Sequence, residues 1–356
     1  MMKTTMDLDA LGFSEWHAGV ALAALEPNLQ WARVVAVDRE AWVVRAASGE
    51  CVAELAGRFR FGVEEGLDLP GVGDWVTVQV VSPDRAVIHA VGPRRSVLSR
   101  KSPGREMAPQ LIAANLDAAL VVQSCHYDLN TRRLERYLVA CREGGVEPVV
   151  LLNKADLVDE DELAGLVCDL RGAGITGQII PLSGVTGQGL DRVEALLEPG
   201  KTYGLVGSSG VGKSTLINRL LGREVMATQG VSGTGEGTHT TTRRQLLTLP
   251  NGAMVIDTPG IRELGLVGAS EGLDESFADI KALAGSCRFG DCTHESEPGC
   301  AVRQALAEGS LSEERFRSYQ KLGREIEHHD RSYLEKRRKD RAFGRHVRAV
   351  MRGKPR

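Results

Sequence analysis

The sequence predicts a multidomain chain: an N-terminal OB-like β-barrel, a central α/β domain of the phosphate-loop type, and a C-terminal α-helical unit built on a metal site. Short β-branched runs separated by Gly, Pro and Asp turns occupy residues 31–98. Apolar strand-like runs alternating with helical segments follow, one of them leading into a Gly-rich Lys-Ser loop. Three cysteines and a histidine then crowd into residues 287–300. A chain of 356 residues exceeds a typical single domain, so division into several units is expected.

Hydrophobic residues make up 42% and charged residues 26%, the balance of a globular protein with a real core, which excludes general disorder. No run approaches the roughly 18–20 apolar residues of a membrane helix, and Met1–Leu11 lacks a basic region followed by an apolar one. A cytoplasmic chain with no membrane partner is expected. Seven cysteines in this length do not suggest a secreted disulfide scaffold. Nothing points to an obligate assembly, so a monomer is expected.

Net charge is −3, but it is segregated. From Arg315 to Arg356 there are fifteen Lys or Arg against five Asp or Glu, a local +10. Such a stretch, including Lys336-Arg337-Arg338-Lys339, suits a phosphate backbone, where each neutralised phosphate releases counterions whatever the base. A solvated helix face is the plain alternative.

In chain order, residues 1–30 form an N-terminal extension with a short possible helix over 16–25. The barrel's strands are read at 32–37, 42–46, 75–81 and 86–91. OB-like barrels often bind nucleic acid, although fold alone does not establish binding. A basic connector, 94–105, precedes the α/β domain, 106–268. There the runs 116–124 and 147–152 read as buried parallel strands with a helix over 133–143 between them. Further strands are expected at 179–182, 202–206, 244–249 and 253–256, with helices at 190–197 and 215–221. A helical metal-binding unit, 269–340, contains helices at 274–284 and 312–339, and a basic tail, 341–356, ends the chain.

Gly207-Ser208-Ser209-Gly210-Val211-Gly212-Lys213-Ser214 follows a strand and opens a helix at Thr215. Its glycines let main-chain amides face phosphates, and the helix start adds positive potential. Lys213 reaches the β and γ phosphates, and Ser214 can ligate Mg2+. Asp257-Thr258-Pro259-Gly260 ends an apolar strand. Alone it is a common turn; beside the phosphate loop, Asp257 becomes the expected Mg2+ partner and Gly260 the amide facing the γ-phosphate.

Asn153-Lys154-Ala155-Asp156, again at a strand's end, chooses the base. Asp156 can accept hydrogen bonds from guanine N1 and its exocyclic amine, whereas adenine would leave the carboxylate poorly paired, at a cost of roughly 1–3 kcal/mol or more. Asn153 and the Lys154 stem support the ring, and a main-chain amide in Ser183-Gly184-Val185 can meet guanine O6.

Residues 230–242 carry many glycines and read as a switch that orders when a threonine of the run 240–242, provisionally Thr241, ligates Mg2+. A plain flexible linker is the alternative. Ile261 follows Gly260, where Ras-like GTPases place a water-orienting Gln; an alkyl chain cannot hydrogen-bond water, so intrinsic hydrolysis should be slow. His239 is the candidate substitute. Cys287, Cys292, His294 and Cys300 supply a closed tetrahedral set, the arrangement of one structural Zn2+. Cys51, Cys125, Cys141 and Cys168 are scattered and read as ordinary buried thiols.

The guanine motifs precede the phosphate loop, the reverse of the ordinary GTPase order, which marks a circular permutation. With its flanking barrel and cysteine cluster, the chain from Trp31 to the basic tail closely resembles the bacterial ribosome small-subunit-dependent GTPase family. That resemblance implies GTP hydrolysis stimulated by the small ribosomal subunit during late maturation, and contacts with rRNA. It also implies GTP or GDP with Mg2+ as ligands, and Zn2+ on Cys287, Cys292, His294 and Cys300. The permutation places the γ-phosphate-sensing segment directly before the C-terminal unit, so nucleotide state can move that unit. Two other classes fit parts of the sequence: a phosphate-loop ATPase, disfavoured by Asp156, and a non-enzymatic RNA-binding assembly factor that keeps GTP as a structural ligand.

Overall fold

The computed structural model describes residues 8–14, 16–17, 26–38, 41–63, 66–101, 109–126, 129–226, 244–258, 266 and 268–352. Strands β1 (Gln30–Val37), β2 (Trp42–Ala46) and β3 (Gly49–Leu55) form an antiparallel meander, followed by the short helix α1 (Gly57–Gly62) and by β4 (Trp75–Ser82) and β5 (Arg85–Val91). β3 pairs in parallel with β5, β5 with β4, and β4 returns to β1, which closes the barrel and removes its open edges. Ala32, Val34, Val44, Ala46, Ala53, Val76, Val78 and Ile88 fill the interior. β3 and α1 are absent from the sequence reading: small Cys51 and Ala53 face inward while Glu50, Val52 and Glu54 face out, a weak apolar signal.

The α/β domain begins with the hairpin β6 (Val97–Lys101) and β7 (Pro109–Ala114). It continues through β8 (Ala118–Ser124), α2 (Thr131–Glu143), β9 (Glu147–Asn153), α3 (Glu160–Gly172) and β10 (Ile179–Pro181). Then come α4 (Leu190–Glu194), β11 (Thr202–Val206), α5 (Lys213–Leu221), β12 (Arg244–Thr248) and β13 (Met254–Asp257). The strand order is β10-β9-β8-β11-β13-β12, with β12 alone antiparallel to its neighbour. Apolar side chains pack on both faces, which accounts for the nearly continuous hydrophobic runs. β12 also pairs with β1, so the barrel and the α/β sheet form one hydrogen-bonded surface.

Three local expectations are corrected. The run read as one strand over 116–124 is divided by Asn115 in the left-handed region (φ 56), whose amide side chain donates to Gly73 O and accepts from Arg95 N. The connector 94–105 contains β6. The helix read over 274–284 is two, α6 (Ser270–Ser276) and α7 (Ala278–Ala284), because the backbone turns at Phe277 to drive that ring into the core.

With α8 (Ala301–Glu308) and α9 (Glu313–Arg352), these helices enclose Leu273, Phe277, Ile280, Val302, Phe316 and Ile326 around Val139 of α2. Arg315 locks this unit to the α/β domain. Its guanidinium grips Asp279 through two bonds (2.7 and 2.9 Å), donates to Ala173 O and Ser276 O, and lies over the Phe277 ring. No helix among the described residues is long and apolar enough to cross a membrane.

The described part of the N-terminal segment packs where barrel and α/β domain meet. Phe13 stands edge-on to Trp75 at 4.8 Å, and buried Arg33 donates to Leu11 O, Gly73 O and Thr202 Oγ1. His17 is buried and its Nδ1 accepts from the Ser14 amide (3.2 Å), which requires an unprotonated nitrogen. Burial first, then the fields of Arg95 and Arg33, push its pKa down to about 4 against a contrary pull from Asp117. With the folded value below the unfolded one, this stability is complete above about pH 6.5 and drains as pH falls toward 4. We expect about 2 kcal/mol more acid destabilisation between pH 7.5 and 4.5 than in His17→Gln. Parallel urea midpoints for the two chains would contradict this.

Candidate functional site

The predicted binding residues gather where the parallel strands end, the usual place for a ligand on such a sheet. β11 runs into Gly207–Gly212, and Gly212, in the left-handed region (φ 95), starts α5. A Cβ on Gly207 would lie 2.4 Å from Val122 O, and one on Gly212 2.3 Å from the Asn153 side-chain nitrogen, so both positions require glycine. Lys213 is buried, and its ammonium donates to Gly207 O and Ser208 O at 2.7 Å each, placing the positive charge inside the loop. Ser209, Gly210, Ser214 and Thr215 are half-buried along the loop's mouth, while Ser208 and Val211 lie within it. β13 is in parallel register with β11, Leu205 opposite Asp257, which brings the buried Asp257 beside the strand feeding the loop. Thr258 donates its hydroxyl to Leu205 O and pins that corner.

Asn153 performs a task that the local pattern did not disclose. Its side-chain amide donates to Val211 O (2.8 Å) in the phosphate loop and accepts from Gly184 N (3.0 Å). One buried residue therefore ties three loops together. Lys154 sits in the left-handed region (φ 65), and Ala155 N bonds Leu182 O, so the chain turns sharply and leaves Asp156 exposed in a short 3-10 turn. The amides of Ser183, Gly184 and Val185 each have an intramolecular acceptor: Gln188 O, Asn153 Oδ1 and Ser183 Oγ, the last at 3.2 Å. The sequence reading had one of these amides meeting guanine O6. His239, Thr241 and Gly260, together with the switch 230–242 and Ile261, lie outside the described residues.

Replacing Asn153 by Ala removes both bonds at a buried position. We expect guanine-nucleotide affinity to fall by about ten- to hundredfold, the equivalent of roughly 1.5–3 kcal/mol, with a thermal midpoint lowered by only a few degrees. Titration with a fluorescent GDP analogue checks it, and unchanged affinity would contradict the bridging role.

The second constellation lies between α7 and α8. The ligand atoms of Cys287, Cys292, His294 and Cys300 all fall within 4.8 Å of one another. Cys287 Sγ is 3.9 Å from Cys300 Sγ and 3.6 Å from His294 Nδ1, and Cys300 Sγ is 3.4 Å from that nitrogen. A tetrahedron with Zn–S bonds of about 2.3 Å and a Zn–N bond of about 2.0 Å has edges of roughly 3.5–3.8 Å, so the donor set fits a zinc-sized ion. Cys300 also caps α8, accepting from Arg303 N, which sets its sulfur against the helix's positive end. The ligand loop is held by Glu297, a residue the sequence reading passed over. Its carboxylate accepts from the Thr293 hydroxyl and from the amides of Thr293, Glu295 and Ser296, and these bonds, Thr293's first, hold its pKa at about 2. All seven cysteines are free thiols; Cys51, Cys125 and Cys141 are buried as expected, but Cys168 is exposed on α3.

Comparison with known proteins agrees with this geometry. The profile of the family described as RsgA GTPase matches residues 91–267. The chain is 43% identical over 331 residues to the small ribosomal subunit biogenesis GTPase RsgA of Opitutus terrae, covering 90% of each chain. It is 49% identical over 262 residues to the protein of the same name from Methanosarcina acetivorans, covering 72% of this chain and 70% of that one. Among solved structures it resembles YjeQ from Thermotoga maritima, with a TM-score of 0.62 and 28% identity, over 84% of this chain and 98% of the other.

Proposed function

The chain belongs to the RsgA GTPase family, and from that premise we propose that it hydrolyses GTP on the small ribosomal subunit late in the subunit's maturation, binding rRNA and coupling nucleotide state to its own release. The observation that carries the reading is the Asn153 bridge, which joins a base-selecting carboxylate loop to a phosphate loop encoded some sixty residues later. The names of its relatives, biogenesis GTPases of the small subunit, support the partner.

In this reading Asp156 selects guanine, and Asn153, Lys154, Ala155, Ser183 and Gly184 shape the base pocket. Residues 207–215 hold the phosphates, with Lys213 between the β and γ groups. Mg2+ bound with the nucleotide neutralises charge developing on the phosphates. Ser214, Asp257 and Thr241 hold it, and Gly260 presents its amide to the γ-phosphate. His239 orients the attacking water in place of the side chain that Ile261 does not supply. Cys287, Cys292, His294 and Cys300 hold one structural Zn2+. The working units are residues 31–98, 106–268 and 269–340, flanked by an extension and a basic tail, 341–356, whose charge suits rRNA phosphates. A cytoplasmic monomer fits this role.

GTP turnover measured with and without purified small ribosomal subunits tests the proposal. Stimulation of at least about tenfold is expected, since an unassisted site without a water-orienting Gln is slow. Equal turnover with and without the particle would remove the ribosomal partner.

A further inference from the structure

The barrel carries an aromatic side chain that the fold does not use. Phe61, in α1, is 94% exposed, whereas Phe289, the next most exposed phenylalanine among the described residues, is 42% exposed. Leaving a whole phenyl ring in water forgoes the roughly 2 kcal/mol or more that its burial would contribute, so no folding argument places it there. Its surroundings are cationic. Arg58, three residues earlier and therefore on the same helical face, and Arg60 are both exposed, and neither has an ion-pair partner among the described residues. The barrel's other arginines are occupied: Arg33 is buried on carbonyls, Arg45 is paired with Glu50, Arg94 with Asp74 and Arg95 with Asp117.

The short helix is not a loose appendage. Ala56 N bonds Ile88 O on β5, Arg60 N bonds Ala56 O, and Phe59 is half-buried beneath, so the outward face of Arg58, Arg60 and Phe61 is presented at a defined place on the closed barrel.

We propose that Phe61 is a stacking platform for an unpaired RNA base, with Arg58 and Arg60 meeting the phosphates on either side. An aromatic ring offers its face to any base, and two unpaired guanidinium groups within one helical turn match the spacing of a single-stranded backbone better than the apolar collar around a protein hot spot. The same ring cannot reach a base inside a duplex, whose faces are already stacked. This inference deepens the rRNA-binding reading by naming the surface and the form of RNA it takes.

The test uses the full chain with three probes: a 12-nucleotide mixed-sequence single-stranded RNA, the corresponding blunt RNA duplex, and purified small ribosomal subunits. Phe61→Leu should weaken single-strand binding by about ten- to hundredfold and Phe61→Trp should retain it, with thermal midpoint and intrinsic GTP turnover unchanged in both. Arg58→Gln with Arg60→Gln should lower the slope of log affinity against log salt by about one. The proposal is overturned if the Leu chain binds the single strand like the parent, or if the duplex is bound as tightly and with the same Phe61 dependence. Particle binding lost in Phe61→Ala but kept in Phe61→Leu would also overturn it, since that pattern belongs to an apolar protein anchor. Failure here is separable from failure of the ribosomal reading: the parent's stimulation by the particle tests the latter, and Phe61-dependent single-strand binding without stimulation would uphold only the former.

Discussion

Asp156→Asn should lose guanine nucleotides and gain xanthine ones. The exposed carboxylate at the end of β9 has two acceptor oxygens, matching the N1–H and exocyclic N–H donors that guanine presents side by side. An asparagine keeps one acceptor for N1–H but turns an amide N–H toward the exocyclic amine, so one charge-assisted bond becomes a donor–donor clash. Bonds to charged groups contribute about 1.5–3 kcal/mol each, and an opposed pair adds more. GTP affinity should therefore fall by at least about a hundredfold. Xanthine carries an oxygen where guanine carries the amine, which restores the match and should recover most of the loss. Calorimetric titration of both chains with GDP and xanthosine diphosphate decides it. If the substituted chain keeps its preference for guanine, some group other than Asp156 reads the base.

The largest stability effect should follow from Cys300→Ser. Apparent binding free energies of structural zinc sites run to about 10–16 kcal/mol, and here the metal substitutes for core size. α6, α7 and α8 have seven, seven and eight residues, well short of the dozen or so an isolated helix needs in water. Cys300 is also a buried member of their core and the cap of α8, so its replacement removes a ligand, a cap and an apolar contact together. Metal content should drop from one zinc per chain to nearly none, and the amides of 301–308 should lose hydrogen-exchange protection. Nucleotide affinity should stay within about twofold, because Asn153 and Lys213 belong to a different packed region. Full zinc occupancy with protected amides in α8 would show that the other three ligands suffice.

The chemistry-bearing loops were legible because each is a short contiguous string with a fixed task. Gly207–Ser214 needs glycines where Val122 O and Asn153 crowd the backbone, and Cys287–Cys300 brings four donors together across only fourteen positions. The parallel strands were legible as well, because burial on both faces makes them apolar throughout. β3 escaped notice because its inward residues are small and its outward ones acidic. The kink at Phe277 was missed because a helical pattern does not record a ring turned into a neighbouring core.

From its order of residues alone, this chain determined its ligand chemistry: a guanine-selecting carboxylate, a phosphate loop and a four-donor metal set, in permuted order. Only the tertiary structure decided how those pieces act together. It made Asn153 the bridge between two of them, Arg315 the lock between the helical unit and the α/β domain, and β12 the strand shared with the barrel. The reason is range. A motif's chemistry resides in neighbouring residues, whereas a bridge, a lock or a shared strand exists only when groups tens or hundreds of residues apart are brought within bonding distance.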